Sequence, residues 1–168
     1  MDPRLRKVIK SIIKWNKARY VREYNGELVH ALLQEEKQEY LDAIDDIERA
    51  DALGDVFYVT VGGLWKGGLS SDRIMVLLAT YVENPNLLQE SPDSAAMALG
   101  IAMASAYKDL SSLAKSDKKA TDILIEICKS NNTKLSGKIA SDEKYCADGK
   151  GPNFRPPEAA IQLILETP

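Results

Sequence analysis

Leu28-Val29-His30-Ala31-Leu32-Leu33-Gln34-Glu35-Glu36-Lys37-Gln38-Glu39-Tyr40-Leu41-Asp42-Ala43-Ile44 is the stretch that decides the fold class. Wound at roughly 100° per residue with Leu28 as zero, it gathers Leu32, Val29, Ala43, Leu33, Tyr40 and Ile44 into one apolar sector of roughly 160°. The spacing predicts an amphipathic helix over 27–44. Glu27, Gln34, Lys37 and Gln38 take the opposite, solvated arc, and Asp42 lies nearer its boundary. Three acids break the pattern. Glu35, Glu36 and Glu39 fall at roughly −20°, 80° and 20°, facing inward or lying at the margin of the core.

The next helical segment repeats the anomaly. On its wheel Asp55 is surrounded by Ala52, Val56 and Val59, and Asp51 lies one turn earlier. Carboxylates crowded against a core repel one another and lose hydration, at a cost of several kcal/mol per ion when unpaired. A multivalent cation relieves both problems. Carboxylate oxygens without imidazole or thiolate partners are the donor set of a hard ion, Mg²⁺ or Mn²⁺, rather than of zinc. The alternative is a structural ion network in which Lys or Arg of the first helix pairs with some of the acids, with Glu35 and Asp51 its best candidates.

Outward from these helices the periodicity stays helical, and no β-branched alternation long enough for a strand appears. A first helix over about 3–20 has Val8, Ile9, Ile12, Ile13 and Trp15 as its apolar side, and Asn25-Gly26 breaks the chain before the second. A third helix covers about 46–65, with Gly62-Gly63 and Gly67-Gly68 loosening its end and letting helices approach closely. Ser70-Ser71-Asp72 is a cap for a fourth helix carrying Ile74, Met75, Leu77, Leu78 and Tyr81, ended by Asn84-Pro85-Asn86. An Ala- and Met-rich helix over 94–113 and another over about 119–129 complete an all-α bundle. Met97 and Met103 read there as packing residues. Residues 130–157 turn to Asn, Lys, Gly, Asp and Pro, with Pro156-Pro157 enforcing extended backbone. Such a segment is a linker by composition. Yet Lys134, Lys138, Lys144, Lys150 and Arg155 also suit an ordered C-terminal arm folding over an anionic ligand, its far end anchored by the apolar run 159–165.

A chain of 168 residues is expected to form one domain, 1–168, with a core that needs no staples. No apolar run suggests a membrane span, and the basic N-terminus lacks the apolar core and cleavage site of a signal peptide. A cytoplasmic location is expected. Cys128 and Cys146 have no CxxC spacing and read as packing residues of a reducing compartment. The net charge of −3 hides a segregation. Residues 1–22 hold Arg4, Arg6, Lys7, Lys10, Lys14, Lys17, Arg19 and Arg22 against Asp2, whereas 23–55 hold eleven acids against Lys37 and Arg49. Intramolecular neutralisation therefore competes with any outside polyanion, and no nucleic-acid partner is expected. His30 lies on the polar side of its helix and reads as a surface residue.

Two motifs carry a family resemblance. Glu35-Glu36-Lys37-Gln38-Glu39 matches EExxE, and Ala52-Leu53-Gly54-Asp55 matches the following ExxD except at its first position. In this the chain resembles the all-α nucleoside triphosphate pyrophosphohydrolases of the MazG and HisE type. Asp51 replaces the missing Glu, as in phage relatives that read D-A-L-A-D. A literal ExxD one turn earlier, Glu48-Arg49-Ala50-Asp51, gives a second register. The same phage branch, which includes the dGTP-directed MazZ, has counterparts of Ser130-Asn131-Asn132-Thr133-Lys134, Asp148-Gly149-Lys150 and Gly151-Pro152-Asn153-Phe154-Arg155-Pro156-Pro157. The resemblance covers about residues 25–65 and 128–158.

The resemblance implies an enzyme that splits a nucleoside triphosphate into monophosphate and pyrophosphate, using two or more Mg²⁺ or Mn²⁺ ions because a tetra-anionic substrate cannot otherwise approach five carboxylates. Glu36, Glu39 and Asp55 are implied as metal ligands, and Glu35 and Asp51 as ligands of a second ion or as general base. Lys134, Lys150 and Arg155 are expected on the leaving phosphates, Asn131 and Asn153 on phosphate or sugar, and 130–158 as a substrate-covering arm. Trp15 and Asn16, adjacent on the first helix, offer a stacking plane and an amide for the base. Guanine nucleotides, dGTP or GTP, are the expected substrates; dUTP, dCTP or damaged nucleotides are the rivals. Outside hydrolysis, the competing readings are a nucleotide sensor without turnover and a helical adaptor whose acids bind a basic partner. A homodimer or homotetramer is expected, in host cytoplasm if the gene is a phage's, with the arm reaching its own or a neighbouring site.

Overall fold

The computed structural model describes residues 1–89, 91–134 and 150–168. Among these there is no strand. The helices are α1 (Leu5–Arg19), α2 (Gly26–Asp42), α3 (Asp46–Lys66), α4 (Ser71–Glu83), α5 (Ala95–Leu113), α6 (Asp117–Asn132) and α7 (Glu158–Glu166), with a 3₁₀ turn over Pro85–Gln89 after α4. The arm residues Lys138, Lys144, Asp148 and Gly149, and Cys146, lie outside the described residues.

Short polar side chains start most helices where the sequence supplies them. Asn25 accepts from the Leu28 amide, Asp45 from those of Ile47 and Glu48, Ser70 from Arg73, Ser94 from Met97 and Ser116 from Lys118 and Lys119. Each satisfies an amide that the helix itself leaves without a partner. Gly68, at φ +103°, takes the left-handed turn that reverses the chain between α3 and α4.

The third helix is the axis of the bundle. It packs against α1, α2, α4, α5, α6 and α7, and its Ala50, Phe57, Thr60 and Val61 are fully buried. Gly62 and Gly63 do not loosen it, since the helix runs unbroken to Lys66. They are close-approach positions: a Cβ on Gly62 would sit 3.1 Å from the Asn16 amide, and one on Gly63 3.0 Å from Leu99 Cδ1. The predicted apolar side of α1 is confirmed, with Val8, Ile9, Ile12 and Ile13 buried. Met103 is buried and Met97 packs on the same core. Ile161 anchors α7 against that core, so the apolar run after the Pro pair forms a docked helix.

Two expectations need correction. Of the apolar sector of α2 only Val29 and the following Ala43 are buried, while Tyr40 is 37% and Ile44 83% exposed. This helix packs chiefly on α3, and among the described residues no other helix lies broadly against it. Nor does the basic first helix neutralise the acidic second. Arg4 pairs with Asp2 and with Asp122 of α6 at 2.5 Å, and Arg6 pairs with Asp72 of α4. Among the described residues no cation of α1 forms an ion pair with Glu35, Glu36, Glu39, Asp51 or Asp55.

Candidate active site

Both α1 and α2 lie on α3 but splay apart, and the space between them is a cavity of about 440 Å³. Trp15, Asn16, Tyr20, Tyr58 and Leu28 are among its walls, and Gly62-Gly63 form part of its floor. Next to it lies a second cavity of about 320 Å³, lined by Glu35, Glu36, Glu39, Asp51 and Asp55 together with Asn131, Lys134 and Lys150. Leu32, Glu36, Asp55, Asn131 and Lys134 line both. One end of a bound molecule would therefore meet rings and the other carboxylates and amines.

Helical spacing along α3 explains the arrangement. Asp51, Asp55, Tyr58, Val59 and Gly62 recur at three to four residues, which puts them on one face. From Asp55 to Gly62 that face runs for about 10 Å. On α2 Glu35, Glu36 and Glu39 all line the acid cavity, but the wheel's inward placement holds only for Glu36, which is half-buried, whereas Glu35 and Glu39 are exposed at its mouth. Glu48, the alternative first member of the motif, does not line either cavity; its carboxylate accepts from the Ile44 amide at the start of α3. Asp51 lines the acid cavity instead.

Electrostatics mark three of the acids, Glu36, Asp51 and Asp55. Burial, with Asp55 and Glu39 close by, pushes the Glu36 carboxyl up to about 8, and Glu36 Oε2 is buried without a hydrogen-bond partner. Burial followed by the charges of Asp55 and Glu158 raises Asp51 to about 7. Asp55 is raised chiefly by burial, partly offset by Lys134 and by a long 3.4 Å hydrogen bond from the Asn131 amide. An orphaned carboxylate oxygen among acids held above their ordinary range is the environment a divalent cation stabilises. The donor set therefore fits Mg²⁺ or Mn²⁺. Among the described residues no three His, Cys, Asp or Glu side chains are already gathered into a coordination group.

Other expected residues separate clearly. Asn131 is buried and Lys134 half-buried, both at the end of α6. Trp15 is half-buried, packed edge-on against Tyr58 at 5.5 Å, and its indole N–H donates to the Asn131 carbonyl at 2.7 Å. Its N–H is therefore taken; the ring is one wall of the aromatic cavity and also carries the Arg19 guanidinium, 4.5 Å from its centroid. Asn16 is buried, with its amide donating to the Ile12 carbonyl. Asn153 and Arg155 are exposed and line neither cavity; the Arg155 backbone amide donates to Thr133 Oγ1. His30 is exposed, as expected. Cys128 is buried with its thiol pushed up to about 12 by burial, as suits a packing residue.

Sequence reading missed Glu158, Tyr20, Tyr58 and Phe154. An acid in the first turn of a helix after two prolines reads as ordinary helix chemistry, which hid Glu158. Tyr58 had a usable signal in its i+3 spacing from Asp55.

The fold and site together define a helical bundle whose central helix carries a carboxylate-lined cavity opening into an aromatic one. Residues 4–80, from the start of α1 to near the end of α4, match the sequence model of phosphoribosyl-ATP pyrophosphohydrolase, a family of the MazG and HisE all-α nucleoside triphosphate pyrophosphohydrolase superfamily. The all-helical structure is consistent with that fold, and the match supports a nucleoside triphosphate pyrophosphohydrolase activity in general. It includes all five acids but stops short of Asn131, Lys134 and Lys150. Comparison with curated proteins and with solved structures gives no match. Among the described residues no helix is long and apolar enough to cross a membrane.

Proposed function

We propose that this protein hydrolyses a nucleoside or deoxynucleoside triphosphate between the α- and β-phosphates, with dGTP or GTP as preferred substrate and Mg²⁺ or Mn²⁺ as cofactor. The observation that carries the reading is the shared wall. Glu36, Asp55, Asn131 and Lys134 border both cavities, so a base and sugar among the rings would place its phosphates at the acids.

Glu36, Glu39 and Asp55 would hold one cation, and Glu35 or Asp51 would complete the shell of a second. Bound there, the ions supply positive charge for the phosphates and Lewis acidity toward oxygen. Whichever of Glu35 and Asp51 is not held by the second ion would take a proton from the attacking water as its oxygen bonds to the α-phosphorus. As that bond forms, the α–β bridging oxygen departs with pyrophosphate. Lys134 and Lys150 line the cavity where charge accumulates on the leaving group. The ring face of Trp15, with Tyr20 and Tyr58, gives the base a stacking wall.

A panel of ribo- and deoxyribonucleoside triphosphates with either metal, including dUTP, dCTP and a phosphoribosylated ATP, tests the reading by release of monophosphate and pyrophosphate. Glu39→Gln and Asp55→Asn should each lower turnover by about a thousandfold or more while keeping the helical fold. Full activity in either variant refutes the ligand assignment. Binding of nucleotide without pyrophosphate release would instead identify a sensor.

A further inference from the structure

Arg19, the last residue of α1, is only 6% exposed, and among the described residues no carboxylate pairs with it. Its Nε is buried with no hydrogen-bond partner. Buried arginines are rare without a counter-charge, because removing the guanidinium from water is costly. What Arg19 does touch lies in two places. Its guanidinium sits over the Trp15 ring, 4.5 Å from the centroid, and one Nη donates to the Lys134 carbonyl at 3.3 Å. Trp15, one turn earlier, donates to the Asn131 carbonyl. Asn131 lies in the final turn of α6 and Lys134 two residues past its last residue, at the negative end of the helix, which attracts a cation.

The same end of α6 supplies two groups to the acid cavity. The Asn131 amide reaches Asp55, and Lys134 is the cation that most offsets the burial of Asp55. The other end of this arrangement, Trp15, walls the aromatic cavity. We propose that Arg19 is a positioning residue: stacked on Trp15, it clamps the end of α6 so that Lys134 stands at the phosphate-facing side of the acids, tying the base cavity to the acid cavity. The inference deepens the pyrophosphohydrolase reading and rests on it for the identity of the phosphates, but the clamp itself is a matter of where Lys134 stands.

Two measurements on Arg19→Gln and Arg19→Lys test it. The first is acetylation of Lys134 by limiting acetic anhydride, followed by mass spectrometry with exposed Lys10 as internal reference. Release of the clamp should raise Lys134 labelling several-fold in Arg19→Gln, with Arg19→Lys intermediate because it keeps the charge but loses the fork. The second is a double-mutant cycle with Lys134→Ala on KM and kcat. Arg19→Gln should raise KM about tenfold in the wild-type background and have almost no effect when Lys134 is already Ala. A residue that merely supports the fold would give additive losses in both backgrounds. Unchanged labelling in both variants overturns the clamp. If the wild type releases no pyrophosphate from any triphosphate, the functional reading fails while the labelling still decides the clamp, and Arg19→Lys remains available should Arg19→Gln not fold.

Discussion

At the scale of single residues, the protein keeps carboxyls where it would be easier to keep none. Glu36 rises from an ordinary value of 4.5 to about 8 and Asp51 from 3.8 to about 7, so the folded chain binds these protons more tightly than the unfolded one. Their contribution is therefore favourable below the ordinary carboxylate range and is lost as pH climbs through 7 and 8. In EDTA the melting temperature should fall by several degrees between pH 6 and pH 8.5, and added Mn²⁺ should recover most of that loss, because the cation binds the ionised form. Calorimetry at the two pH values, with and without metal, checks both halves. Glu36→Gln carries the same logic further. Deleting a buried negative charge that has no partner should raise the melting temperature of the metal-free protein at pH 8.5, even as it abolishes the metal response. A variant that melts lower than the wild type under those conditions would contradict the burial argument.

At the scale of helices, the site is a packing problem between α3 and its neighbours. A Cβ on Gly54 would lie 1.9 Å from Ile127 Cδ1, so only glycine lets α6 approach the turn that carries Asp55. Gly54→Ala should cost about 1–3 kcal/mol through overpacking, despite the better helix propensity of alanine. Ile127→Val removes the clashing atom, so the double variant should regain most of the stability, as urea titration of the four proteins would show. A Gly54→Ala chain as stable as the wild type would mean that Ile127 swings aside freely. Helices α1 to α6 were legible in the sequence to within a few residues, because the 3.6-residue period and the Ser, Asn and Asp caps are local signals, whereas α7 was read only as an apolar anchor. The acids were legible too, since EExxE on one face of a helix is itself a violation of pattern. What was not legible depended on contacts across the chain: that Trp15 has its N–H consumed by a carbonyl 116 residues away, that Arg6 pairs with Asp72 rather than with α2, and that Glu158 joins the acids from α7.

At the scale of the whole molecule, the second helix has a flank that no other helix of the described residues covers broadly. Sequence periodicity assigned Leu33, Tyr40 and Ile44 to a buried face, yet Tyr40 and Ile44 are exposed, as is Leu41 at 63%, and only α3 lies broadly against the helix. The wheel read the apolar sector from spacing alone, and spacing does not tell whether any surface covers it. An apolar flank on the helix that also bears Glu35, Glu36 and Glu39 is where a second copy would bury hydrophobic area and stiffen the acid cavity at once. We propose that the homodimer or homotetramer expected from the sequence forms through this flank. Sedimentation equilibrium should therefore give a mass at least twice that of the chain, and Ile44→Glu with Leu41→Glu should shift it to monomer, because burying the two introduced charges at a symmetric contact is strongly unfavourable. Circular dichroism should show the monomer still helical, since neither side chain belongs to the core of its own chain. The activity of that monomer separates two roles for the contact. Loss of metal-dependent stabilisation along with assembly would mean that the neighbour holds the acid helices in place, and an unchanged metal response would confine the flank to assembly alone. A wild-type chain that sediments as a monomer at every concentration would remove the interface altogether.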